Sequence, residues 1–289
     1  MKYFLFVLLS PLFLWCYEYQ LCLTTMFQDE APYLVEWIEY HIERGVELFR
    51  LYNNNSKDNY KEVLKPYIDR GIVQLVEWPS VHLEYDTDHH TSIVQVGAFN
   101  DSIAYFKGKT KWLAIIDSDE FIFPVVEDNI LILLEKYYPE VSGLNINWQN
   151  FGTSGIERGD KIGKNVFLLG SLVRKADVNY SRNNFCKSIV QPDYVSHCTN
   201  PHYCEFIEGH WGVNTQFKPT KGYCLPEDIS KIRINHYWGR DEWFVRNVKI
   251  PRYIRWGTGE EHVRKLLSEM NDVEDRDIQK YLPLKINQK

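Results

Sequence analysis

The sequence predicts an α/β fold built around a mostly parallel central sheet. Its 289 residues suit one large α/β domain, and an apolar fraction of 44% is enough for a sizeable core. Strand-like and helix-like segments alternate in the order β-α-β-α-β near the start of the chain, a pattern typical of parallel strands joined by right-handed crossovers. Such sheets bind ligands at the carboxyl ends of their strands, so a functional site is expected at that edge.

The first strand and helix follow from local signals. Residues 19–27 are β-branched and apolar, which indicates a buried strand. Asp29 suits the cap of the next helix and Pro32 suits its first turn; an apolar stripe then continues to Arg44, and Gly45 ends the helix. Further strands are predicted over residues 46–52, 72–78, 111–116, 143–148, 187–190 and 232–237, and further helices over residues 60–69, 91–107, 128–138, 166–176 and about the last fifty residues.

The chain contains no linker that would separate two domains. One domain is therefore predicted over residues 19–289, after an apolar segment at residues 1–18. Lys2 followed by the apolar run 3–17 resembles a targeting or anchor segment, although the run is shorter than the about 20 residues of a spanning helix. We expect membrane association through residues 3–17 or entry into the secretory pathway, Golgi-like in a eukaryote, with the cytoplasmic face as the microbial alternative.

Charge and cysteine content argue against two classes of function. The net charge is -6 and no basic stripe is present, so nucleic acid is not expected as a partner. No C-x-x-C pattern occurs, and the histidines at positions 82, 89 and 90 lack the spacing of a zinc site. Four cysteines lie between Cys186 and Cys224, where they suit one or two disulfides in an oxidising compartment, or free thiols in the cytosol.

The sequence Asp117-Ser118-Asp119 directly follows the apolar strand at 111–116. Two carboxylates at a strand end can bind one hard divalent cation, Mn²⁺ or Mg²⁺, which can then bridge the phosphates of a diphosphate leaving group. The alternative is a solvated acidic turn, because two aspartates at this spacing occur by chance in many loops. His236 at a later strand end can complete the metal site, although a lone histidine is more often structural, and Lys187 can neutralise a phosphate.

Other candidate site residues lie beside predicted strand ends and in loops. Contacts to a nucleotide are predicted at Thr25, Glu30, Asn54 and Asn55, where polar side chains can bind a base or a ribose. A platform for the acceptor sugar is predicted at Trp148, Phe151, Gly152 and Ser154, because aromatic rings pack on the apolar faces of sugars. The sequence does not identify a catalytic base, for which the candidates are Glu157, Glu205, Glu208 and Asp241.

Several motifs, taken in order, resemble those of glycosyltransferase family 92, formerly a domain of unknown function. Residues 27–41, with the sequence FQDEAPYLVEWIEYH, resemble the opening motif of that family. The resemblance covers about residues 20–250. It continues through Gly45-Val46, Phe49 to Ser56, Trp78-Pro79, Trp112 to Pro124, Phe151 to Gly155, Lys187 to Pro192 and Ile234 to Tyr237.

The resemblance implies a GT-A (Rossmann-like) nucleotide-sugar-binding fold. It also implies transfer of a sugar, typically galactose, from a UDP-sugar to a glycan or other hydroxyl acceptor, with Mn²⁺ as cofactor and inversion at the anomeric carbon. By match to the family motifs, Asp117 and Asp119 are the metal carboxylates and His236 is a further metal ligand.

Two other functions remain open at this point. A hydrolase with paired carboxylates would release sugar in the absence of any acceptor. A catalytically inactive nucleotide-sugar- or glycan-binding protein on the same scaffold would bind its ligand without turnover.

Overall fold

The computed structural model describes residues 17–79, 90–157, 168–223, 225 and 229–281. Nearly all of the apolar segment 3–17 lies outside this range, as do the histidines at 82 and 89, Cys224 and the start of the helix expected over 166–176. Within the described residues, no helix has the length and apolar character needed to cross a membrane.

The strands and helices are numbered in chain order. The strands are β1 (Tyr19–Phe27), β2 (Leu48–Asn53), β3 (Val73–Glu77), β4 (Thr110–Ile115), β5 (Glu120–Pro124), β6 (Gly143–Asn150), β7 (Arg174–Lys175), β8 (Cys186–Val190), β9 (Val195–Asn200), β10 (Tyr203–Phe206), β11 (Gly212–Val213), β12 (Ile232–His236) and β13 (Val273–Glu274). The helices are α1 (Ala31–Glu43), α2 (Tyr60–Asp69), α3 (His90–Phe106), α4 (Ile130–Tyr137), α5 (Leu168–Ser171), α6 (Glu242–Phe244), α7 (Ile250–Arg255) and α8 (Gly259–Glu269). A π-helical turn at Val245–Lys249 joins α6 to α7, and short 3₁₀ turns lie at Ser181–Asn184, Pro192–Tyr194 and Asp277–Tyr281.

Nine strands form the central sheet, in the order β3-β2-β1-β4-β8-β6-β12-β5 with β11 paired to β6. Strands β1 to β4 are mutually parallel neighbours, and β6 is parallel to both β12 and β11. Strand β8 is antiparallel to β4 and β6, and β5 is antiparallel to β12. The predicted α/β class with a mostly parallel sheet is confirmed.

The strands and helices up to β4 follow the sequence prediction closely, whereas several later elements differ. Strand β5 was not predicted: its five residues are all buried, so it lacks the alternating pattern that marks a half-exposed strand. In the segment expected to be helical over 166–176, the described part holds only the short helix α5 before the chain turns into β7. Strand β7 pairs with the distant β13, so a tertiary contact overrides the local helical pattern there.

Helix α1 covers the outer edge of β5, the last strand in the sheet. Trp37, Tyr40 and His41 lie three or four residues apart and therefore share one face of the helix. The Trp37 indole donates to the Glu120 carbonyl at 2.8 Å, and the Tyr40 hydroxyl donates to the Ile122 carbonyl at 2.9 Å. The Ile122 amide donates to Nε2 of His41 at 3.3 Å. The edge strand thus has its backbone groups paired with side chains of α1.

Strands β9 and β10 form a separate hairpin that a disulfide between Cys198 and Cys204 closes. The sequence left open whether the cysteines between 186 and 224 form disulfides or remain free thiols. Cys198 and Cys204 form a disulfide. Cys22 is a buried free thiol, and Cys186 at the start of β8 is also buried.

Tyr40→Phe tests whether α1 stabilises the β5 edge. The substitution keeps the ring and removes only the buried hydroxyl, so the Ile122 carbonyl loses its partner from α1. We expect the free energy of unfolding to fall by about 2 kcal/mol, measured by denaturant titration at unchanged m-value. The matched control is Tyr137→Phe, which removes a partly exposed hydroxyl that donates to Glu127 at 3.3 Å. Its effect should stay within about 0.5 kcal/mol, and equal effects of the two variants would contradict the proposed role of the Tyr40 hydroxyl.

Candidate active site

A cavity of about 420 Å³ opens at the carboxyl ends of β1, β2 and β4. Met26 and Phe27 reach it from the end of β1, Asn54 from the residue after β2, and Asp117 to Asp119 from the turn after β4. This is the edge at which parallel α/β sheets bind ligands. The fold therefore brings together three segments that are far apart in the sequence.

Asp117 forms an ion pair with a fully buried lysine. Lys187 has no exposed side-chain surface; its Nζ lies 2.8 Å from Oδ2 of Asp117 and 3.9 Å from Oε1 of Glu120. Gln95 on α3 donates to the other Asp117 oxygen at 2.6 Å, and the Asp117 amide donates to Glu120 at 2.8 Å. Burial alone would lower the pKa of Lys187, but the Asp117 and Glu120 carboxyl groups raise it above its ordinary value. Lys187 is thus a charged residue beneath the cavity wall rather than on its surface.

Strand register places His236 beside Asp119. His236 is the last residue of β12, where it pairs with Glu120 on β5 and with Asn150 on β6. Since Asp119 directly precedes Glu120, the imidazole lies close to its carboxylate: Nε2 of His236 is 3.6 Å from Oδ1 of Asp119.

A chain of side-chain amides fixes which nitrogen of His236 faces Asp119. Nδ2 of Asn183 donates to the Asp177 carbonyl at 2.9 Å, and Nδ2 of Asn150 donates to Oδ1 of Asn183 at 2.9 Å. Oδ1 of Asn150 therefore lies 3.0 Å from Nδ1 of His236 and accepts its proton. Because the Asp177 carbonyl can only accept, it fixes the orientation of the Asn183 amide, which in turn fixes that of the Asn150 amide. Nδ1 of His236 therefore carries the proton, and the lone pair is on Nε2. Burial lowers the pKa of His236 to about 4, which keeps the ring neutral.

These atoms suit a divalent cation. A neutral imidazole whose other nitrogen donates to a side-chain oxygen is the usual form of a metal-ligating histidine. The 3.6 Å between Nε2 of His236 and Oδ1 of Asp119 is too long for a hydrogen bond but short enough for both atoms to reach one ion. Among the described residues, no group of three or more His, Cys, Asp or Glu side chains forms a ready metal site, so joint coordination by Asp117, Asp119 and His236 stays a prediction.

Three basic residues that the sequence analysis did not identify line the cavity, one of them beside Asp119. Lys249, Arg252 and Arg255 all line the cavity, and Nζ of Lys249 lies 3.8 Å from Oδ2 of Asp119. Burial lowers the pKa of Lys249 to about 7 despite the nearby Asp119 carboxylate. These residues are spaced i, i+3, i+6 in a helical stretch, and this spacing predicts that they share one face of the helix. That pattern is the sequence signal by which they could have been identified. Lys249 ends the π-helical turn, a geometry often found at functional sites.

Three further candidates from the sequence line the same cavity. Glu30 does so while bound to Arg240 through both carboxylate oxygens, and this ion pair is nearly inaccessible to solvent. Asn54 lies at the cavity with its amide donating to the Trp78 carbonyl at 3.0 Å. Trp148 packs against His236 with 4.2 Å between ring centroids. The lining also includes Gln95, Asn150, Arg182, His202 and Trp238, which the sequence did not indicate.

The other predicted nucleotide and acceptor residues do not line the cavity. Phe151 is fully buried against Tyr237, and the Ser154 hydroxyl accepts from the Val173 and Arg174 amides. Gly152 fits closely under Asn271, which a Cβ at this position would meet at 2.5 Å. Thr25 is a buried β1 residue, and Asn55 is an exposed turn residue with a positive φ of 59°.

The candidate bases also lie outside the cavity lining. Glu157 is exposed and pairs with Arg246, and Glu205 pairs with Lys221. Glu208 is exposed, and Asp241 caps α6 by accepting from the Phe244 amide at 2.8 Å. These carboxylates are close to the family motifs in the sequence. In the structure, however, they lie at the protein surface or cap a helix.

A protein-family model matches most of the chain. Residues 17–271 match the model of glycosyltransferase family 92. A family 92 protein of Ricinus communis is 28% identical over 76% of this chain and 35% of its own length. Galactan β-1,4-galactosyltransferase GALS3 of Arabidopsis thaliana is 27% identical over 77% of this chain and 42% of its own length. β-1,4-Galactosyltransferase galt-1 of Caenorhabditis elegans is 25% identical over 76% of this chain and 52% of its own length. The chain thus spans only part of the curated relatives it matches.

Solved structures resemble the chain more weakly. S. aureus TarS 1–349 in complex with UDP aligns with 60% of this chain and 47% of its own, at 12% identity and a TM-score of 0.36. A second crystal structure of S. aureus TarS 1–349 aligns with 86% of this chain and 70% of its own, at 10% identity and a TM-score of 0.39.

Lys187→Met tests whether the buried ammonium holds the turn after β4. Methionine keeps the apolar stem, but the Asp117 carboxylate loses its buried partner. We expect the free energy of unfolding to fall by about 3 kcal/mol, and Asp117→Asn in the same chain should recover part of that loss.

The matched control is Lys111→Met, which removes a partly exposed pair with Glu135 at 2.7 Å. That change should cost less than about 1 kcal/mol. Equal losses for the two lysines, or no recovery in the double variant, would show that the Lys187–Asp117 pair does not stabilise the fold.

Proposed function

Because the chain belongs to glycosyltransferase family 92, we propose that it is a metal-dependent, inverting galactosyltransferase. It would move galactose from UDP-galactose to a hydroxyl of a glycan acceptor. The names of two relatives, a galactan β-1,4-galactosyltransferase and a β-1,4-galactosyltransferase, support galactose as the donor sugar. The family match over residues 17–271 supports the transferase chemistry.

The observation that carries the proposal is the pairing of Asp119 with an oriented His236 at the sheet edge. Asp117, Asp119 and His236 would hold Mn²⁺, which would stabilise the negative charge of the UDP diphosphate as it leaves. Lys187 holds the Asp117 carboxylate from below at 2.8 Å, and Asn150 holds the His236 ring. Ligands fixed in this way need little rearrangement when the ion binds.

The basic residues of the cavity would bind the phosphates together with the cation. Lys249, Arg252 and Arg255 line the cavity, and Nζ of Lys249 lies 3.8 Å from Oδ2 of Asp119. Arginine binds phosphate oxygens through paired N–H groups, and lysine acts as a point charge. Binding of the diphosphate would thus be shared between the cation and these three side chains.

Trp148 gives the cavity an aromatic surface for the sugar. Its ring packs on both His236 and His202, with centroid distances of 4.2 Å and 5.1 Å, and so is held in one orientation. Only 7% of the Trp148 surface is exposed, and this small apolar area lies at the cavity, where it can contact the C–H groups of a pyranose. We propose that it orients a sugar beside the reacting centre.

We further propose that the domain works in an oxidising compartment such as the secretory pathway. The Cys198–Cys204 disulfide supports this, because such bonds persist mainly in secreted or lumenal proteins.

The first test is release of UDP from UDP-galactose in the presence of a β-1,4-galactan oligosaccharide acceptor, measured with Mn²⁺ and with EDTA. Release should require the metal, and Asp119→Asn should lower kcat/KM by at least about 100-fold, since a bound cation supplies several kcal/mol of charge stabilisation. The matched control is Asp69→Asn, which changes an exposed carboxylate on α2 that pairs with Lys65. Equal rates with EDTA, or no release from any UDP-sugar, would contradict the proposal; in the second case ligand binding without turnover would favour an inactive binding protein.

A second variant separates metal binding from folding. Asn150→Ala removes the acceptor for Nδ1–H of His236, so the Mn²⁺ concentration for half-maximal rate should rise about 10–100-fold, with most of the rate recovered at saturating Mn²⁺. Asn145→Ala is the control, because it removes another buried amide of β6, one that accepts from Ser188 at 2.7 Å. If both variants shift the Mn²⁺ requirement equally, Asn150 does not act through His236.

A further inference from the structure

A second concavity lies next to the active-site cavity, on the segment that contains β10 and β11. It has a volume of about 550 Å³, and we call it the aromatic groove. Its lining combines aromatic with polar side chains: Tyr203, Trp211, Asn214, Lys218, Thr220, Lys221 and Tyr223. Trp211 and Tyr223 are each 56% exposed, whereas most other large aromatic side chains of the described chain are buried.

Trp211 is exposed although the backbone on both sides of it is fixed. His210 stacks on Tyr194 with 4.0 Å between ring centroids and contacts the Ser142 hydroxyl at 2.7 Å. Gly212 is the first residue of β11, and a Cβ there would meet Asn145 at 2.9 Å. An exposed indole on a rigid backbone loses little conformational entropy when a ligand covers it. Such a side chain is typical of a binding surface rather than of a core.

Tyr223 connects the groove to the active-site cavity. Its ring packs edge-on against Phe185 at 5.5 Å, and its hydroxyl accepts from Asn184 at 2.9 Å. Phe185 in turn packs against Trp148 at 5.5 Å and His202 at 5.1 Å, which both line the active-site cavity. The consecutive residues His202 and Tyr203 line the active-site cavity and the groove, respectively. The two concavities therefore share one wall.

We infer that the aromatic groove binds the sugar units of an oligosaccharide acceptor that extend beyond the unit receiving galactose. Aromatic faces pack on the C–H faces of pyranose rings, and the interleaved Asn, Thr and Lys side chains can hydrogen-bond their hydroxyls. A lipid or an apolar protein surface would favour a groove without so many polar groups. The shared wall gives a continuous path for one chain from the groove to the reacting centre. The inference rests on the proposed function only in taking the ligand to be a glycan acceptor.

The test measures binding of β-1,4-linked galactobiose, galactotetraose and galactohexaose by calorimetry, without nucleotide or metal. Affinity should increase with length in the wild type. Trp211→Ala and Tyr223→Ala should each weaken binding of the hexaose at least about 10-fold, since one aromatic platform contributes on the order of 1–3 kcal/mol. Binding of the disaccharide, which is too short to fill both concavities, should change much less.

The control is Trp243→Ala, which removes a tryptophan that is 38% exposed and lines neither concavity. UDP affinity and the thermal midpoint are measured for every variant, because a disturbed fold would lower both. The inference is overturned if the wild type binds none of the three oligosaccharides, if affinity does not depend on length, or if Trp211→Ala and Tyr223→Ala bind the hexaose like Trp243→Ala. UDP release from UDP-galactose tests the donor assignment in a separate experiment. A negative result for oligosaccharide binding would therefore not contradict the proposed donor, and a negative result for UDP release would not contradict binding in the groove.

Discussion

The buried ammonium of Lys187 is the interaction on which the geometry of the site depends. A charge without exposed surface is tolerated only where an opposite charge meets it, and Asp117 in the turn after β4 does so at 2.8 Å. The carboxyl group of Glu120, the first residue of β5, lies 3.9 Å away. Strand β8 must therefore lie against β4, although it runs antiparallel to it. With Asp117 held from below, the following Asp119 faces His236 and Lys249 instead. Two aspartates of one short motif thus have different partners.

The second constraint is register across strands that are distant in sequence. His236 reaches Asp119 only because β12 pairs with β5 on one side and with β6 on the other. A slip of one residue would turn the imidazole to the opposite face of the sheet. The buried amides of Asn150 and Asn183 penalise such a slip, because each would lose its partner inside the protein. The same amides that orient the ring also stabilise the strand pairing that positions it.

Local signals explain why part of this arrangement is predictable from the sequence. The strands and helices up to β4, and the aspartates after it, follow from patterns within a few residues, and the structure has them there. Strand β5 and the position of Lys249 beside Asp119 depend on contacts with remote segments. The i, i+3, i+6 spacing of the basic residues predicts that they share a face but not what that face meets. The candidate bases show the same limit. Glu157 was chosen for its closeness to a motif in the sequence, but in space it pairs with Arg246 at the surface.

Net charge describes this site poorly. The chain carries -6 overall, yet Arg182, Lys249, Arg252 and Arg255 all line one cavity. Burial and the neighbouring guanidinium groups of Arg252 and Arg240 lower the pKa of Lys249 to about 7, so its positive charge is only partly stabilised by Asp119. A diphosphate in the cavity would add the negative charge that these groups lack, and would favour the charged form of Lys249. Under the proposed function, the positive charge of these four side chains would favour an anionic donor, and it arises from where the fold places them rather than from overall composition.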